Sequence, residues 1–271
     1  MKVLKKALIG IGLASLLIGS AQGVAAKSYE IDSMKELKDA IVELQNLEAE
    51  SSKSKLNSLT LNSSEESNIN KKREDIIANT DPVVLNDYNE KLQEDFDAIE
   101  ADINNSQQEI DSTVTYDLPG TGGKIDVTLS DTLIEVHPKV KDVMSVTRIQ
   151  QPFGSYNYQV KYRIYHVLYP DAWAVLNTYY KTSSGGLTAT SSSTAGTGGI
   201  FPAQVSGSSK VTDSRAEKLS YDINAQGDYT VTYIGANGIG LLSYDITLIS
   251  RVKWVAQGST SSYVERSYTK Y

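Results

Sequence analysis

The stretch Leu219–Val255 alternates apolar and polar residues over three successive runs. Alternation with a period of two places the apolar side chains on one face of a β-strand. The joints between the runs are Ala225–Asp228 and Gly235–Gly240, and the second contains Asn-Gly, which suits turns that need a positive φ. The sequence therefore predicts a β-meander with one buried face, around which the rest of the chain must be organised.

Similar strand patterns fill the residues between 113 and the meander. The clearest is Tyr156–Leu168, which has tyrosine and aliphatic side chains on one face and polar side chains on the other. The remaining patterns are Lys124–Leu129, Thr132–Val136, Val143–Ile149 and Trp173–Tyr180. Short strands separated by turn residues favour an antiparallel β-sandwich or a barrel-like domain over residues 113–271.

Residues 27–112 differ from the β region in charge and in aromatic content. They carry 21 Asp and Glu against 9 Lys and Arg, whereas residues 113–271 carry 12 against 14. Of the 17 tyrosines, 15 lie after residue 112. This contrast predicts two architectures in an α+β chain. The net charge of −7 argues against a nucleic-acid partner, because such proteins need a basic surface.

The acidic region has helical spacing. Ser33 and Glu36 form a capping-box pattern ahead of an apolar stripe, which predicts a helix to about residue 50. Asp81-Pro82 opens a second, longer stripe and predicts a second helix. The polar stretch Ser51–Asn70 between them fits a flexible linker or a weak helix. We expect a helical hairpin or coiled-coil arm, with self-association or partner binding as its possible role.

Residues 1–26 have the pattern of a signal peptide. Lys2, Lys5 and Lys6 precede a short apolar run, and Val24–Ala26 provide small residues for cleavage. The apolar run is shorter than the roughly 20 residues that span a bilayer. We expect a secreted protein cleaved near Ala26. The chain has no cysteine, so it needs a conventional hydrophobic core, and a Gram-positive source is the interpretation we favour.

Two further stretches have alternative interpretations. Leu118–Gly122 matches the LPxTG wall-sorting pattern, but a strand pattern follows it directly, so we interpret it as a Pro/Gly turn. Thr182–Ser209 contains no charged residue and is mostly Ser, Thr, Gly and Ala. We interpret it as a long flexible loop with a short strand at Leu187–Thr190. The alternative is an inserting hairpin of a pore-forming or membrane-active protein, although its alternation is incomplete and Pro202 interrupts it.

The sequence offers few groups for catalysis. His137 and His166 have no second histidine or cysteine at metal-ligand spacing, so neither a metal nor a cofactor is predicted. No G-x-S-x-G nucleophile motif is present. Carboxylates of the β region can pair in a secreted carboxylate-dependent hydrolase, but no pair stands out. Those of the second helix, Asp95 among them, fall on several faces, which is typical of a solvated surface.

Aromatic residues offer a ligand surface instead, because aromatic faces stack on sugar rings. Most tyrosines alternate as core residues do. The residues that we expect at an exposed ligand surface are Tyr165, Asp171, Trp173, Tyr179 and Tyr180. The expected partner is a cell-wall glycan or a surface protein.

The back half resembles the DUF5626-type domain of secreted Firmicutes proteins, whose function is unknown. The resemblance covers residues 114–256 and is carried by Tyr116-Asp117-Leu118 with Gly122-Gly123, by Ser155–Tyr162, and by the meander with its glycine turn. It implies a small exported β domain and supplies no functional residues. The uncharged stretch and the helical arm depart from that family. From the residues themselves, we expect a secreted, non-enzymatic binding protein.

Overall fold

A computed structural model of the chain describes residues 30–57, 63–106, 108–136, 149–200, 202–234 and 240–271. Within these ranges it contains three helices and mostly antiparallel sheets, which confirms the α+β class. The helices are α1 (Met34–Asn57), α2 (Ser63–Asn79) and α3 (Pro82–Asn105). The strands are β1 (Ser112–Asp117), β2 (Lys124–Val136), β3 (Ile149–Pro152), β4 (Gly154–Tyr165), β5 (Ala172–Ser183), β6 (Gly186–Ser193), β7 (Gly198–Gly199), β8 (Ala203–Asp213), β9 (Arg215–Ala216), β10 (Asp222–Ile234), β11 (Gly240–Gln257) and β12 (Ser261–Lys270). The predicted signal peptide, His137 and most of the predicted strand Val143–Ile149 lie outside the described residues.

The strands form two sheets. The larger sheet has the order β1-β2-β4-β5-β6-β9, with β7 also paired to β5, and the smaller has the order β3-β12-β11-β10-β8. The hydroxyls of Thr178 on β5 and Ser250 on β11 are hydrogen-bonded, so the two sheets touch through their buried faces. Buried side chains of both sheets and of α1 and α3 belong to one hydrophobic cluster. The core is therefore shared by the helices and both sheets.

The meander differs from its prediction in where the strands begin and end. Residues 225–228 lie inside β10, so two of the predicted runs form one strand. Gly227 is not a turn residue here: a Cβ at this position would lie 2.5 Å from the Tyr229 hydroxyl, so the glycine makes room for that ring. Leu219 and Tyr221 are more than half exposed, because Ser220 turns the chain with a φ of 72° before β10 begins. The consecutive strands β10, β11 and β12 form the actual meander.

The predicted helix starts are confirmed. The Glu36 N–H donates to the Ser33 hydroxyl at 3.3 Å, and the Glu36 carboxylate accepts from the Asp32 N–H at 3.0 Å. The Asp81 carboxylate caps α3 by accepting from the Val83 N–H at 2.7 Å. The described parts of the predicted linker are helical and belong to α1 and α2, so the helix alternative is the observed one.

The apolar stripe of α3 is buried inside the chain. Its buried apolar residues are Val84, Leu85, Tyr88, Leu92, Phe96, Ile99 and Ile103. Phe96 contacts Tyr244 of β11, with ring centroids 5.0 Å apart. At the end of α3, Asn104 bonds to both the N–H and the carbonyl of Lys270 on β12. The stripe on which self-association of the helices was expected to depend is therefore already covered by the sheets.

The uncharged stretch Thr182–Ser209 is not a long loop. It contains β6, β7 and the first part of β8, which are paired into the two sheets. Small residues with hydroxyl groups permit this arrangement, because the hydroxyls can bond to the neighbouring backbone: Thr197 Oγ1 accepts from the Val175 N–H at 3.0 Å. The prediction of a flexible loop is wrong, and insertion into a membrane stays an untested prediction.

The Leu118–Gly122 segment is the turn that the sequence predicts, and it is held by α3. The Gly122 N–H donates to the Leu118 carbonyl at 2.8 Å, which closes the turn between β1 and β2. Asp95 accepts from the Gly120 N–H at 2.9 Å and from the Thr121 hydroxyl at 2.6 Å. Asp95 is buried, so its prediction as a solvated carboxylate is wrong. A buried carboxylate needs such donors because it has lost its water.

His166 is a core residue, as predicted. Its Nδ1 accepts from the Leu168 N–H at 3.2 Å, so the proton of the neutral ring is on Nε2 and is donated to the Tyr88 hydroxyl at 2.8 Å. Burial, together with a smaller contribution from the nearby charge of Arg73, lowers the pKa of His166 to about 3. The imidazole is therefore neutral and joins α3 to the chain that follows β4.

We expect His166 to make the protein less stable as the pH falls. The pKa of the unfolded histidine is about 6.5, so below that pH the unfolded chain binds a proton that the folded chain excludes. Between the two pKa values the loss should be about 1.4 kcal/mol of unfolding free energy per pH unit. Urea unfolding of the wild type and of His166→Phe between pH 7 and pH 4 measures it. The variant should lack this component of the slope, and parallel pH profiles would show that His166 does not cause it.

Candidate ligand-binding face

The outward face of β4 and β5 carries a ladder of polar residues with an aromatic residue near each end. Register places Trp173 opposite Arg163 and Tyr179 opposite Asn157, with the pairs Val175–Lys161 and Asn177–Gln159 between them. The inward residues of β4 are buried in the core, so this ladder faces away from the smaller sheet. Trp173 and Tyr179 are six residues apart, which corresponds to roughly 20 Å along a strand.

Trp173 is held in a fixed orientation. Its indole N–H donates to the Gly196 carbonyl, and the Lys161 ammonium lies over the ring, 5.8 Å from its centroid. Gly198 of β7 pairs with Trp173 of β5, and a Cβ on Gly198 would lie 3.3 Å from the indole ring. The ring is only partly buried. A partly exposed aromatic ring whose rotation is restricted is a prepared contact surface, because little side-chain entropy remains to be lost on binding.

Amide groups fill the centre of the ladder. The Asn177 Oδ1 atom accepts from Asn157 at 3.0 Å and from Gln159 at 2.9 Å, while its Nδ2 donates to the Ala195 carbonyl at 3.1 Å. Two buried oxygens next to this network, Asn157 Oδ1 and Ser193 Oγ, have no hydrogen-bond partner among the described residues. These oxygens and Asn177 are buried, so they hold the network in place, while the partly exposed Asn157 and Gln159 side chains are the amides nearest to a ligand with hydroxyl or amide groups.

The charges of this face are mixed. Arg163 donates to the Asp171 carboxylate through Nε at 2.8 Å and through a second nitrogen, forming an ion pair whose carboxylate is buried. Lys161 and Lys181 form no ion pair within the part of the chain that the structure describes. The face therefore offers two ammonium groups that can meet an anionic ligand.

The structure separates the five predicted site residues. Trp173 and Tyr179 share the outward face, and Tyr165 lies at the end of the same face, where its hydroxyl donates to Glu48 of α1. Asp171 is buried in the Arg163 ion pair, so it supports the face without being exposed. Tyr180 points inward and is 1% exposed, so its expected place on an exposed surface is wrong. Adjacent strand residues point to opposite faces, and Tyr179 and Tyr180 therefore cannot share one.

Sequence reasoning missed the polar residues of the ladder, which are Asn157, Gln159, Lys161 and Asn177. The first three appear in the sequence only as the polar side of one strand. Their combination with Asn177 depends on the register between β4 and β5, which is a non-local property. The alternation of the Tyr156–Leu168 pattern was the available signal, because it already placed these polar residues together on one face.

Other surfaces of the described residues are less suited to a ligand. A groove of about 400 Å³ lies over β8 and β10 and is lined by Gly199, Ala203, Gln204, Val205, Ser206, Thr230 and Thr232, without an aromatic or charged side chain. On β10 and β11, Asp228 accepts from the Thr247 hydroxyl and Asp245 from that of Thr230, at 2.8 and 2.7 Å. These carboxylates already have partners in the sheet.

Within the described ranges, no three or more His, Asp or Glu side chains are grouped to hold a metal ion. None of the described helices has the length and apolar character needed to cross a bilayer. No family model, curated protein or solved structure matches the chain. The resemblance of residues 114–256 to the DUF5626-type domain stays a prediction.

Proposed function

We propose that this chain is an exported, non-enzymatic binding protein that holds a bacterial cell-wall glycan on the outward face of β4 and β5. One observation carries the proposal: Trp173 and Tyr179 lie near the two ends of a ladder of fixed amides on a single sheet face. Export is supported by the signal-peptide pattern of residues 1–26. A Gram-positive cell surface is the location that we propose.

The chemistry of the face fits a polysaccharide. The C–H face of a pyranose ring is apolar and packs on an aromatic ring, while its hydroxyl and acetamido groups need hydrogen-bonding partners such as the Asn157 and Gln159 amides. The roughly 20 Å between Trp173 and Tyr179 is long enough for several sugar units. Wall polymers are often anionic, and Lys161 and Lys181 lie on the same face. These features together favour a wall glycan over a neutral small molecule.

A stable scaffold suits this role. We infer that the two sheets form a β-sandwich, supported by the Thr178–Ser250 hydrogen bond between them and by their shared hydrophobic cluster. In such a scaffold one face of β4 and β5 builds the core. On the other face Val175 and Asn177 are covered by the segment that contains Ala195 and Thr197, and the β4 side chains and the aromatic ends of the ladder stay partly exposed. The helices pack on the sandwich through α3, whose buried stripe belongs to the same cluster.

The proposal predicts that Trp173→Ala weakens retention on isolated cell-wall glycan about tenfold or more, since a stacked aromatic anchor contributes a large share of binding energy. The measurement is co-sedimentation of purified residues 27–271 with peptidoglycan sacculi, before and after removal of attached anionic polymers. Tyr221→Ala is the matched control, because Tyr221 is exposed but lies outside the ladder. Absence of retention on every wall preparation, or equal retention of the two variants, would contradict the proposal.

A further inference from the structure

The outer edge of β8 is unpaired among the described residues, because β8 is the last strand of the smaller sheet. The hydrogen bonds at its start fix the direction of its backbone groups. The Pro202 carbonyl accepts from the Ile234 N–H at 3.1 Å, whereas the Ala203 N–H turns away from β10 to the Ile200 carbonyl at 2.8 Å. Since backbone direction alternates along a strand, even-numbered residues bond to β10 and odd-numbered residues point outward.

After Ala203, four more residues of β8 therefore present their backbone N–H and carbonyl groups at this edge. They are Val205, Gly207, Ser209 and Val211. They come before the register between β8 and β10 shifts, at Asn224 and Ala225 of β10. The alternation of inward and outward backbone groups therefore continues as far as Val211. The centre of the edge, Ser206–Ser208, is exposed.

The centre of this edge, residues 203–209, lacks the usual protection against pairing. Natural edge strands are guarded by charged side chains, prolines or bulges. Between Pro202 and Lys210 the edge of β8 has no charge and no proline. Gly207 presents no side chain at the centre of the edge, and it has to be a glycine because a Cβ there would lie 2.5 Å from the Tyr229 ring, which packs across it on the inner side. An uncharged edge of this kind is a template for another strand.

We propose that two copies of this chain associate by antiparallel pairing of their β8 edges around a two-fold axis at Ser208. A two-fold interface brings the same surface from each copy together. The axis at Ser208 is the placement that pairs all four outward residues: Val205 meets Val211 of the partner subunit, and Gly207 meets Ser209 of the partner subunit. Pairing at these positions gives about eight backbone hydrogen bonds.

The side chains favour a second copy as the occupant. Val205 and Val211 are partly buried against the core, so their pairing would continue the apolar layer of one sheet into that of the other. On the outer side Ser208 would face its own counterpart, and Ser206 would face Lys210 of the partner subunit, so no like charges oppose each other. The edge is thus complementary to itself, and Lys210, the one charged residue between Val205 and Val211, would face an uncharged serine.

A single cysteine tests this register, because the chain has no cysteine of its own. In Ser208→Cys the two Cα atoms at the axis would be about 4.5 Å apart, within the range of a disulfide. Ser206→Cys is the matched control. Its two cysteine Cα atoms would be separated by four residues along the strand, or roughly 13 Å, which is too far for a disulfide. We expect mild oxidation to convert the first variant to a covalent dimer and to leave the second as separate chains. Equal cross-linking of both variants would overturn the register.

Two non-covalent variants test the association itself by sedimentation equilibrium. Ser208→Lys places like charges at the axis and should raise the dimer dissociation constant at least tenfold. Ser209→Pro removes an outward N–H that β10 does not use, so it should block pairing while circular dichroism stays that of the wild type. A wild type that is monomeric at submillimolar concentration, or a dimer that persists in both variants, would overturn the proposal. Neither outcome bears on glycan retention, which concerns the other sheet.

Discussion

Replacing Arg266 by alanine is expected to lower the free energy of unfolding by about 3–5 kcal/mol, because the substitution leaves a buried carboxylate without its partner. Arg266 on β12 forms an ion pair with Asp131 on β2, and the two side chains are 2% and 3% exposed. Gln151 also donates to the same Asp131 oxygen at 2.9 Å, and the Tyr180 hydroxyl lies 3.1 Å from it. The pair joins strands of different sheets, so its loss weakens their contact.

The size of this effect separates a buried ion pair from an exposed one. Arg215 forms an ion pair with Glu217 in which both side chains are about two-thirds exposed, and Arg215→Ala should change stability by less than about 1 kcal/mol. The double variant Asp131→Leu with Arg266→Met should recover much of the loss, because it removes both charges and restores apolar volume. Urea unfolding of these variants provides the comparison. A loss below about 1 kcal/mol for Arg266→Ala would mean that the pair is hydrated.

Gly186→Ala is expected to have a comparable or larger effect, either a loss of about 3–5 kcal/mol or failure to fold. Gly186 begins β6 with a φ of 114°, which residues with a side chain rarely adopt. A Cβ there would overlap the Ala216 carbonyl oxygen and lie 3.0 Å from the Trp254 ring. Ala216 is backbone paired to β6, so it cannot move aside without breaking the edge of the larger sheet.

The neighbouring glycine is the control. At Gly185 the nearest atom to an added Cβ is 3.8 Å away, and its φ is not in the left-handed region. Gly185→Ala should therefore stay within about 1 kcal/mol of the wild type. Thermal and urea unfolding of both variants measure the difference. Similar stability of Gly185→Ala and Gly186→Ala would show that the β5–β6 turn relaxes around the new methyl group.

The elements that could be predicted are those specified by local chemistry. Ser33 and Glu36, and Asp81 with Pro82, mark helix starts because capping involves residues only a few positions apart. The alternation of β4 likewise follows from one strand. Gly227 was misleading because glycine permits both a turn and the close approach of a ring, and only the position of Tyr229 distinguishes these uses.

The sequence predicted only part of the candidate site, because the rest depends on pairing between residues that are distant in the chain. Trp173 and Tyr179 could be selected as aromatic residues of one predicted strand, but Tyr180 was selected with them. Residues 174–176 of β5 are buried on both faces, so alternation does not reveal which of the two tyrosines points to the core. The amides opposite them become part of the site only through pairing with β4. Similarly, only the observed ion pair with Arg163 shows that Asp171 supports the ligand-binding face.

Tryptophan fluorescence offers the most direct test of glycan binding at Trp173. The chain has two tryptophans, and Trp254 is only 6% exposed, so a ligand on the outward face of β4 and β5 should affect Trp173 alone. Titration of the wild type with soluble glycan fragments of the cell wall should give a saturable change in emission and protection from acrylamide quenching. The same titration of Trp173→Phe should leave the remaining emission of Trp254 unchanged. An equal response in both proteins, or no response in the wild type, would contradict binding at this face.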